Sequence, residues 1–503
     1  LGISVQVISH RNPLRTLSEL RARVAAEGYD IIHCHGSRGN MLGAMLGRAT
    51  GLPVVTTVHS DYRLDYMGRP LSRLTYGTIN AIALRRIPYH IGVSDATVDM
   101  LIQRGFDPQQ LFSIYNGLDF SPIVPALDRR QFLQSLGLNW PENAVVVGIA
   151  ARLNPVKDIA TLIRGFALAR RKAPHLRLLI AGDGPDEASL KALADQLGVS
   201  DDVCFAGWVS DMNSFYNAID INLLTSISEG FPYVIPEGGR MKLATISSRV
   251  GGIPVLVEDG KNGLLFEPGD VSALAGHLVR LAQDPELRKS LGQALYDKAS
   301  VMCSIDHMVE LHLDIYDNIL KRNARQKAKK AAHQRDGVII CGAYGHGNAG
   351  DDAILKSILQ SVRKLDELMP VTILAKNTQS IKKRYQVNSI YTFNIPKMFS
   401  AMRKSVLYIN GGGTLIQNAT SHRSLWYYLF TLRLAKFLGN KVDMYGCGIG
   451  PVMGQRKEPV AAFAGGFLVP TTLISRVGSS RVTLPVSTFS TSSPLTYTTS
   501  AVT

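Results

Sequence analysis

Short apolar runs alternate with amphipathic stretches along most of this chain, the pattern of strands that are each followed by a helix. Residues 1–125 predict strands at Val5–Ile8, Ile31–His33, Val54–Val58, His90–Val93 and Leu111–Ile114, with helices over Leu14–Glu27 and Ala96–Arg104. Residues 126–320 repeat the pattern. Their strands are Val145–Ala150, Leu176–Ala181, Val203–Phe205, Ile221–Leu224 and Thr245–Ser247, their helices include Ile159–Lys172 and Glu187–Leu197, and 270–320 reads as closing helices. A charged, helical linker over 321–336 leads to a third unit, 337–454, opened by Gly337-Val-Ile-Ile-Cys341, with strands at Val371–Ala375, Val406–Ile409 and Val442–Gly446. Such alternation folds into parallel sheets wrapped by helices. The expected class is therefore α/β: two Rossmann-like lobes with a cleft between them, followed by a partial third Rossmann-like α/β unit. Open sheets of this kind bind ligands beyond the carboxyl ends of their strands, so chemistry is expected there.

Composition changes this picture at both ends. The chain starts at Leu1 inside an apparent strand, as expected of a fragment, and no signal peptide is visible within it. After Glu458 the periodicity fades. Residues 459–503 hold no Asp, Glu or Lys and 17 Ser or Thr, so 455–503 is expected to be a tail of low order, of a texture that a shifted reading frame would produce. The 503 residues are 46% hydrophobic and 19% charged, globular values with length for three or four domains. Five cysteines lie far apart without a CxxC pair, which points to neither a zinc site nor a disulfide framework and fits a reducing cytoplasm. No uninterrupted apolar run reaches the roughly 18 residues of a membrane span.

Charge is uneven. Residues 1–320 carry 30 basic and 33 acidic residues, whereas 321–503 carry 25 and 7. Seven of those cations fall between Lys321 and Arg335 without one acid. Such a stretch suits either a solvated linker helix or peripheral contact with the anionic inner face of a membrane. Aromatic residues are absent from the run, which argues against nucleic acid.

One block concentrates candidate chemistry. Ser228-Glu-Gly-Phe-Pro-Tyr-Val-Ile-Pro-Glu-Gly-Gly-Arg240 places Glu229 before a Gly-Phe-Pro turn and Glu237 about two helical turns further on. The turn offers backbone N–H groups, and the second carboxylate can accept hydrogen bonds from a ribose diol. With Gly148-Ile-Ala-Ala-Arg-Leu-Asn-Pro-Val-Lys-Asp158, Ala181-Gly-Asp-Gly-Pro185, Gly207, Arg249-Val-Gly-Gly-Ile-Pro254, Thr56-Thr-Val-His-Ser-Asp61 and Asn116-Gly-Leu-Asp119, the block resembles the group 1 (family 4) glycosyltransferases, retaining enzymes of the GT-B fold. The resemblance gives Glu229, His59, Arg152 and Lys157 catalytic parts. It gives donor binding to Glu237, Gly230, Phe231, Gly182 and Gly184. It implies a nucleotide-sugar donor, a glycan or lipid-linked saccharide acceptor, a cell-wall or surface polysaccharide product, no metal and no tightly bound cofactor. Arg152 and Lys157, beside a helix N-terminus, would stabilise the leaving diphosphate, which itself takes the acceptor proton on the same face.

Two departures stand out. The family's Gly-rich loop after its first strand has no counterpart here, and Glu237-Gly-Gly-Arg-Met-Lys-Leu-Ala244 replaces the usual Glu-Ala-Met-Ala-x-Gly-x-Pro. The first leaves open a second reading, a nucleotide-sugar-binding module without turnover. His33 and His35 have a spacing compatible with a metal but no evident carboxylate or thiolate partner.

In the third unit, Gly345-x-Gly-x-x-Gly350 follows a strand and opens a helix, as in dinucleotide sites, but no clear acid follows the next strand. With Gly342–Leu355, Tyr408–Tyr428 and Met444–Pro451, the region resembles the first half of polysaccharide pyruvyl transferases of the CsaB type. Those enzymes move a pyruvyl group from phosphoenolpyruvate onto a cell-wall sugar. Candidate residues are Gly345, Gly347, Gly350, Asp351, Gly412 and Arg423. About half of such a domain is covered, so little or no pyruvyl transfer is expected from this chain.

Overall fold

β1 (Ile32–His35), β2 (Val54–Val58), β3 (Tyr89–Gly92) and β4 (Leu111–Ser113) form a parallel sheet in that order. This computed structural model describes residues 12–63, 77–412 and 421–445, together with 7–8, 74, 414–416 and 448–449. The expected strand at Val5–Ile8 falls largely outside them, as does the whole tail 455–503. The chain divides into a unit ending at His333 and a second beginning at Gln334.

The first unit holds a second parallel sheet. Its strands are β5 (Val145–Ala150), β6 (Leu176–Ala181), β7 (Val203–Gly207), β8 (Ile221–Leu224), β9 (Ala244–Ser248) and β10 (Leu264–Phe266), in the order β10-β9-β8-β5-β6-β7. β5 and β8 are buried almost throughout, as strands covered on both faces must be. Two of the helices that cover this sheet are capped by carboxylates. Asp158 accepts from the Thr161 N–H at the head of Ile159–Arg170, and Asp270 from that of Ala273 at the head of Val271–Gln283. These two helices press Leu162, Phe166, Leu274 and Leu278 into one core with β5 and β6.

Two differences from the sequence expectation have physical causes. Gly36–Thr50 is a helix despite four glycines. A Cβ at Gly43 would stand 2.1 Å from Cys34 Sγ, and one at Gly47 2.2 Å from Val54 Cγ2. These glycines therefore let the helix lie close on β1 and β2, and tertiary contact outweighs poor propensity. The last helix of the unit, Ile305–Ala331, is capped by Ser304 and runs unbroken through most of the basic stretch. Its Ile315 and Ile319 pack with Val55, Tyr89, Ile91 and Ile114, so the chain returns from the second sheet to the first. Among the described residues no helix is long and apolar enough to cross a membrane.

One buried histidine, His90, and one half-buried, His33, make this unit acid-sensitive. His90 donates from Nε2 to the Leu84 carbonyl at 2.9 Å, and His33 lies inside the first sheet's ligand edge. Burial pushes both down to about 4. Each stays neutral when folded but takes up a proton when unfolded, so stability falls as pH drops from about 6.5 towards 4. Thermal melts across that window are expected to show a falling Tm; a flat profile would contradict the assignment.

The second unit is built around β11 (Val338–Cys341), β12 (Val371–Ala375), β13 (Asn388–Tyr391), β14 (Leu407–Gly411), the short β15 (Thr414–Ile416), β16 (Lys441–Tyr445) and β17 (Gly448–Ile449). The order β13-β12-β11-β14-β16 is again parallel, and β15 pairs with β17.

Candidate functional site

In the second sheet the strand order reverses between β5 and β8, the point at which open sheets of this kind bind ligands. The loop after β5 carries Arg152 and Lys157, and that after β8 carries Ser226 and Glu229. The two are laced together. Thr225 Oγ1 donates to the Lys157 carbonyl at 2.7 Å and the Ile227 N–H to the Val156 carbonyl at 2.9 Å. Lys157 Nζ then reaches Glu229 Oε1 at 2.5 Å, and Ser226 Oγ donates to the same oxygen at 2.5 Å. The pair is mostly shielded, with 24% and 12% of the two side chains exposed. Arg152 is exposed on the same turn, and the helix Ile159–Arg170 begins directly after it. Two cations and a helix N-terminus therefore share one strand end, an arrangement suited to a diphosphate.

Gly182 and Gly184 sit against that turn. A Cβ at Gly182 (φ 129°) would lie 2.0 Å from the Ala151 carbonyl oxygen, and one at Gly184 2.2 Å from that of Leu153. They let one backbone loop approach another, which fixes the course of the chain around Arg152.

Glu237 lies on the helix Val234–Arg240 and accepts from the hydroxyl of buried Tyr216 at 2.6 Å. Burial, and then the Glu237 charge, push the Tyr216 hydroxyl well above its usual range, so it stays protonated and donating. Removing that donor with Tyr216→Phe strips a charged group of a buried partner, at a cost of about 1–3 kcal/mol. A lower Tm together with weaker nucleotide binding is the expected reading; nucleotide affinity as in the wild type would count against Glu237 as a ligand contact.

The segment between the lobes braces the same block. Asn116 Nδ2 donates to the Phe231 carbonyl at 2.8 Å, and Arg240 donates to the Asp119 carbonyl at 3.2 Å. Phe231 is 4% exposed and meets the Tyr115 ring edge-on, so its side chain is core and only its backbone borders the site. Gly230 presses on the first sheet: a Cβ there would stand 2.1 Å from the His59 carbonyl oxygen and 2.9 Å from Val93 Cγ2. His59, which directly follows β2, is thereby brought to the Glu229 loop. Its ring meets His35, Nε2 to Nδ1, at 3.1 Å. Burial, and then the neighbouring His35, hold the His59 imidazole below its usual range, so it is neutral at physiological pH.

Sequence reasoning missed three residues. The Ser226 hydroxyl meets Glu229 three residues on and Tyr216 meets Glu237 21 residues on, and nothing in the local pattern marks either donor. Trp208, 78% exposed directly after β7, left one signal, a bulky aromatic after a strand ending in glycine. Gly207 at that strand end accepts from the Gly182 N–H at 2.7 Å, so Trp208 stands on the ligand edge of the same sheet.

In the second unit the order reverses between β11 and β14. Tyr344, 1% exposed, donates from its hydroxyl to the Gly411 carbonyl at 2.7 Å across this point. Asp351, in the first turn of the helix Ala349–Leu365, is 7% exposed and accepts from Asn348 Nδ2 at 2.9 Å. A Cβ at Gly412 would come within 3.1 Å of its Oδ1. Burial pushes the Asp351 carboxyl up. The geometry thus brings Asp351 and Gly412 together. Gly350 lies in the same helical turn, Gly345 packs on the Asn377 backbone, Gly347 faces open space, and Arg423 is exposed at the start of the helix His422–Phe437. Among the described residues no three His, Cys, Asp or Glu side chains are grouped to hold a metal ion.

Residues 133–298 match the family model of group 1 glycosyl transferases, 6–121 that of glycosyltransferase family 4, and 348–461 that of polysaccharide pyruvyl transferases. EpsD of Bacillus subtilis (strain 168), to which a glycosyltransferase activity is ascribed, is 29% identical over 323 residues, covering 63% of this chain and 83% of that protein. An Escherichia coli UDP-Gal:alpha-D-GlcNAc-diphosphoundecaprenol alpha-1,3-galactosyltransferase is 25% identical over 319 residues, 62% of this chain and 82% of the relative. Among solved structures, Anabaena Alr3699/HepE in complex with UDP superposes with a TM-score of 0.53 at 25% identity, over 62% of this chain and 86% of the other.

Proposed function

We propose that this chain, a GT-B glycosyltransferase carrying part of a polysaccharide pyruvyl transferase domain, moves a sugar from a nucleotide-sugar donor, with retention, onto a cell-wall or surface glycan. The observation that carries the reading is the Lys157–Glu229 pair set across the reversal of strand order, with Gly230 seated against His59 of the other lobe. Lys157 and Arg152 face the diphosphate, while Glu229 and the backbone after it meet the sugar. Glu237 takes the ribose diol. His59 contacts the donor sugar or the acceptor. The diphosphate charge is met by cations and a helix terminus, so no metal is required and a chelator will leave transfer intact. The UDP bound by HepE and the diphosphoundecaprenol acceptor named for the Escherichia coli relative support a UDP-sugar donor and a lipid-linked acceptor. Such an acceptor would bring the enzyme to the inner face of the membrane, where the basic end of the helix Ile305–Ala331 would favour anionic lipid. In the second unit, Asp351 and Gly412 border the place where phosphoenolpyruvate would approach.

The test is donor turnover, by hydrolysis or transfer, against Glu229→Gln. Tight donor binding without turnover in the wild type would replace this reading by that of a binding module. Trp208 offers the nucleobase a stacking face, worth about 1–3 kcal/mol per base. Trp208→Ala is therefore expected to raise donor KM about tenfold or more with kcat little changed, and an unchanged KM would remove Trp208 from the site.

A further inference from the structure

A run of imidazole contacts leads from the helix Ile305–Ala331 to the face between the lobes. His33 and His35 lie two apart on β1 and so project from the same face of the strand. Their rings stack at 4.5 Å with an interplanar angle of 25°. His33 is fixed at both nitrogens, Nδ1 to the Tyr316 hydroxyl at 2.5 Å and Nε2 to Thr57 Oγ1 at 2.8 Å. His312, one helical turn before Tyr316, stands 5.9 Å from the His33 ring. His35, held by this stack, reaches His59 Nε2 with its Nδ1 at 3.1 Å.

Such close packing disfavours charge on any one ring, and a neutral imidazole has one donor nitrogen and one acceptor nitrogen. The bond between His35 and His59 therefore couples their tautomers. Whichever of the two donates, the state of the remaining His59 Nδ1 follows from it. A histidine directly after a strand, on the exposed side of a cleft, would otherwise turn about its side-chain bonds and exchange tautomers. This explains the His-x-His spacing of β1 without a metal.

We infer that His35 is a positioning residue for His59: clamped on His33, it fixes the ring orientation and the tautomer with which His59 meets a sugar hydroxyl. The inference rests on the glycosyltransferase reading for its catalytic consequence but not for its geometry. Tyr316 and Thr57 hold the far end of the clamp, so the returning C-terminal helix is part of the site's support.

Two variants test it. His35→Asn keeps a polar side-chain atom near the position of Nδ1. His35→Phe keeps the ring on His33 and loses the hydrogen bond. Histidine-selective 15N labelling of the full chain, with the His59 signal identified by its loss in His59→Gln, reads the tautomer without turnover. The wild type and His35→Asn are expected to show widely split His59 nitrogen shifts, one tautomer, while His35→Phe shows shifts drawn together by exchange. In turnover, His35→Phe is expected to lower kcat about tenfold or more with donor KM nearly constant, and His35→Asn to recover most of the loss. Equal melting temperatures show that both variants fold. An exchanging His59 in the wild type, or a single tautomer and full kcat in His35→Phe, overturns the proposal. An inert wild type with one fixed His59 tautomer sinks the proposed activity and leaves this inference standing.

Discussion

Lys157→Ala will lower turnover by roughly two to three orders of magnitude, about 3–4 kcal/mol of barrier, the scale seen when one preorganised charge-stabilising donor is removed. Lys157 sits where the second sheet reverses its strand order, with its ammonium 2.5 Å from Glu229 and its carbonyl tied to Thr225. The side chain is removed while the backbone lacing stays, so the fold is expected to persist. The remaining cost is a Glu229 carboxylate left with Ser226 as its side-chain partner in a site only 12% exposed. The double variant Lys157→Ala, Glu229→Gln separates the two effects, because it removes the unpaired charge without restoring the cation. It should regain most of any lost Tm and none of the lost kcat. Loss of Tm and a raised KM at unchanged kcat in Lys157→Ala would instead make the pair a structural clasp.

Gly230→Ala is the second large effect. The added methyl would meet the His59 carbonyl oxygen at 2.1 Å, a backbone atom that cannot rotate away, and Val93 Cγ2 at 2.9 Å. The Glu229 loop must then withdraw from the first sheet, and displacement of reacting groups by about 1 Å can cost about 100-fold in rate. Turnover is expected to fall at least that far. Nucleotide binding should suffer less, because Glu237 and Tyr216 are held by the helix Val234–Arg240 and the second-lobe core. The control is Gly276→Ala on an exposed turn of Val271–Gln283, where a Cβ meets nothing within 4 Å. It should raise stability by up to about 1 kcal/mol with turnover unchanged. Wild-type kcat in Gly230→Ala would remove the contact between the lobes from the mechanism.

What the sequence determined by itself was local. Strand and helix alternation marked β5, β6 and β8 to the residue, because buried parallel strands are near-continuous apolar runs. The Gly-Phe-Pro turn after Glu229, and the place of Arg152 and Lys157 at a strand end before a helix, were equally legible, since turn chemistry and helix starts are written in neighbouring residues. The short β10 and β13 escaped notice; β13, Asn388-Ser-Ile-Tyr391, is half polar and forms no apolar run. The helix Gly36–Thr50 escaped too, its glycines making sense only against Cys34 and Val54.

Tertiary structure alone decided how these pieces meet. Lys157 and Glu229 are 72 residues apart, Asn116 and Phe231 115, His33 and Tyr316 283. No periodicity of 2 or 3.6 residues records such pairs. They arise because parallel sheets place successive strand ends side by side, because the order reverses between β5 and β8, and because the last helix carries Tyr316 back to the first sheet. The residue types were visible in the chain, but their partners were set by topology.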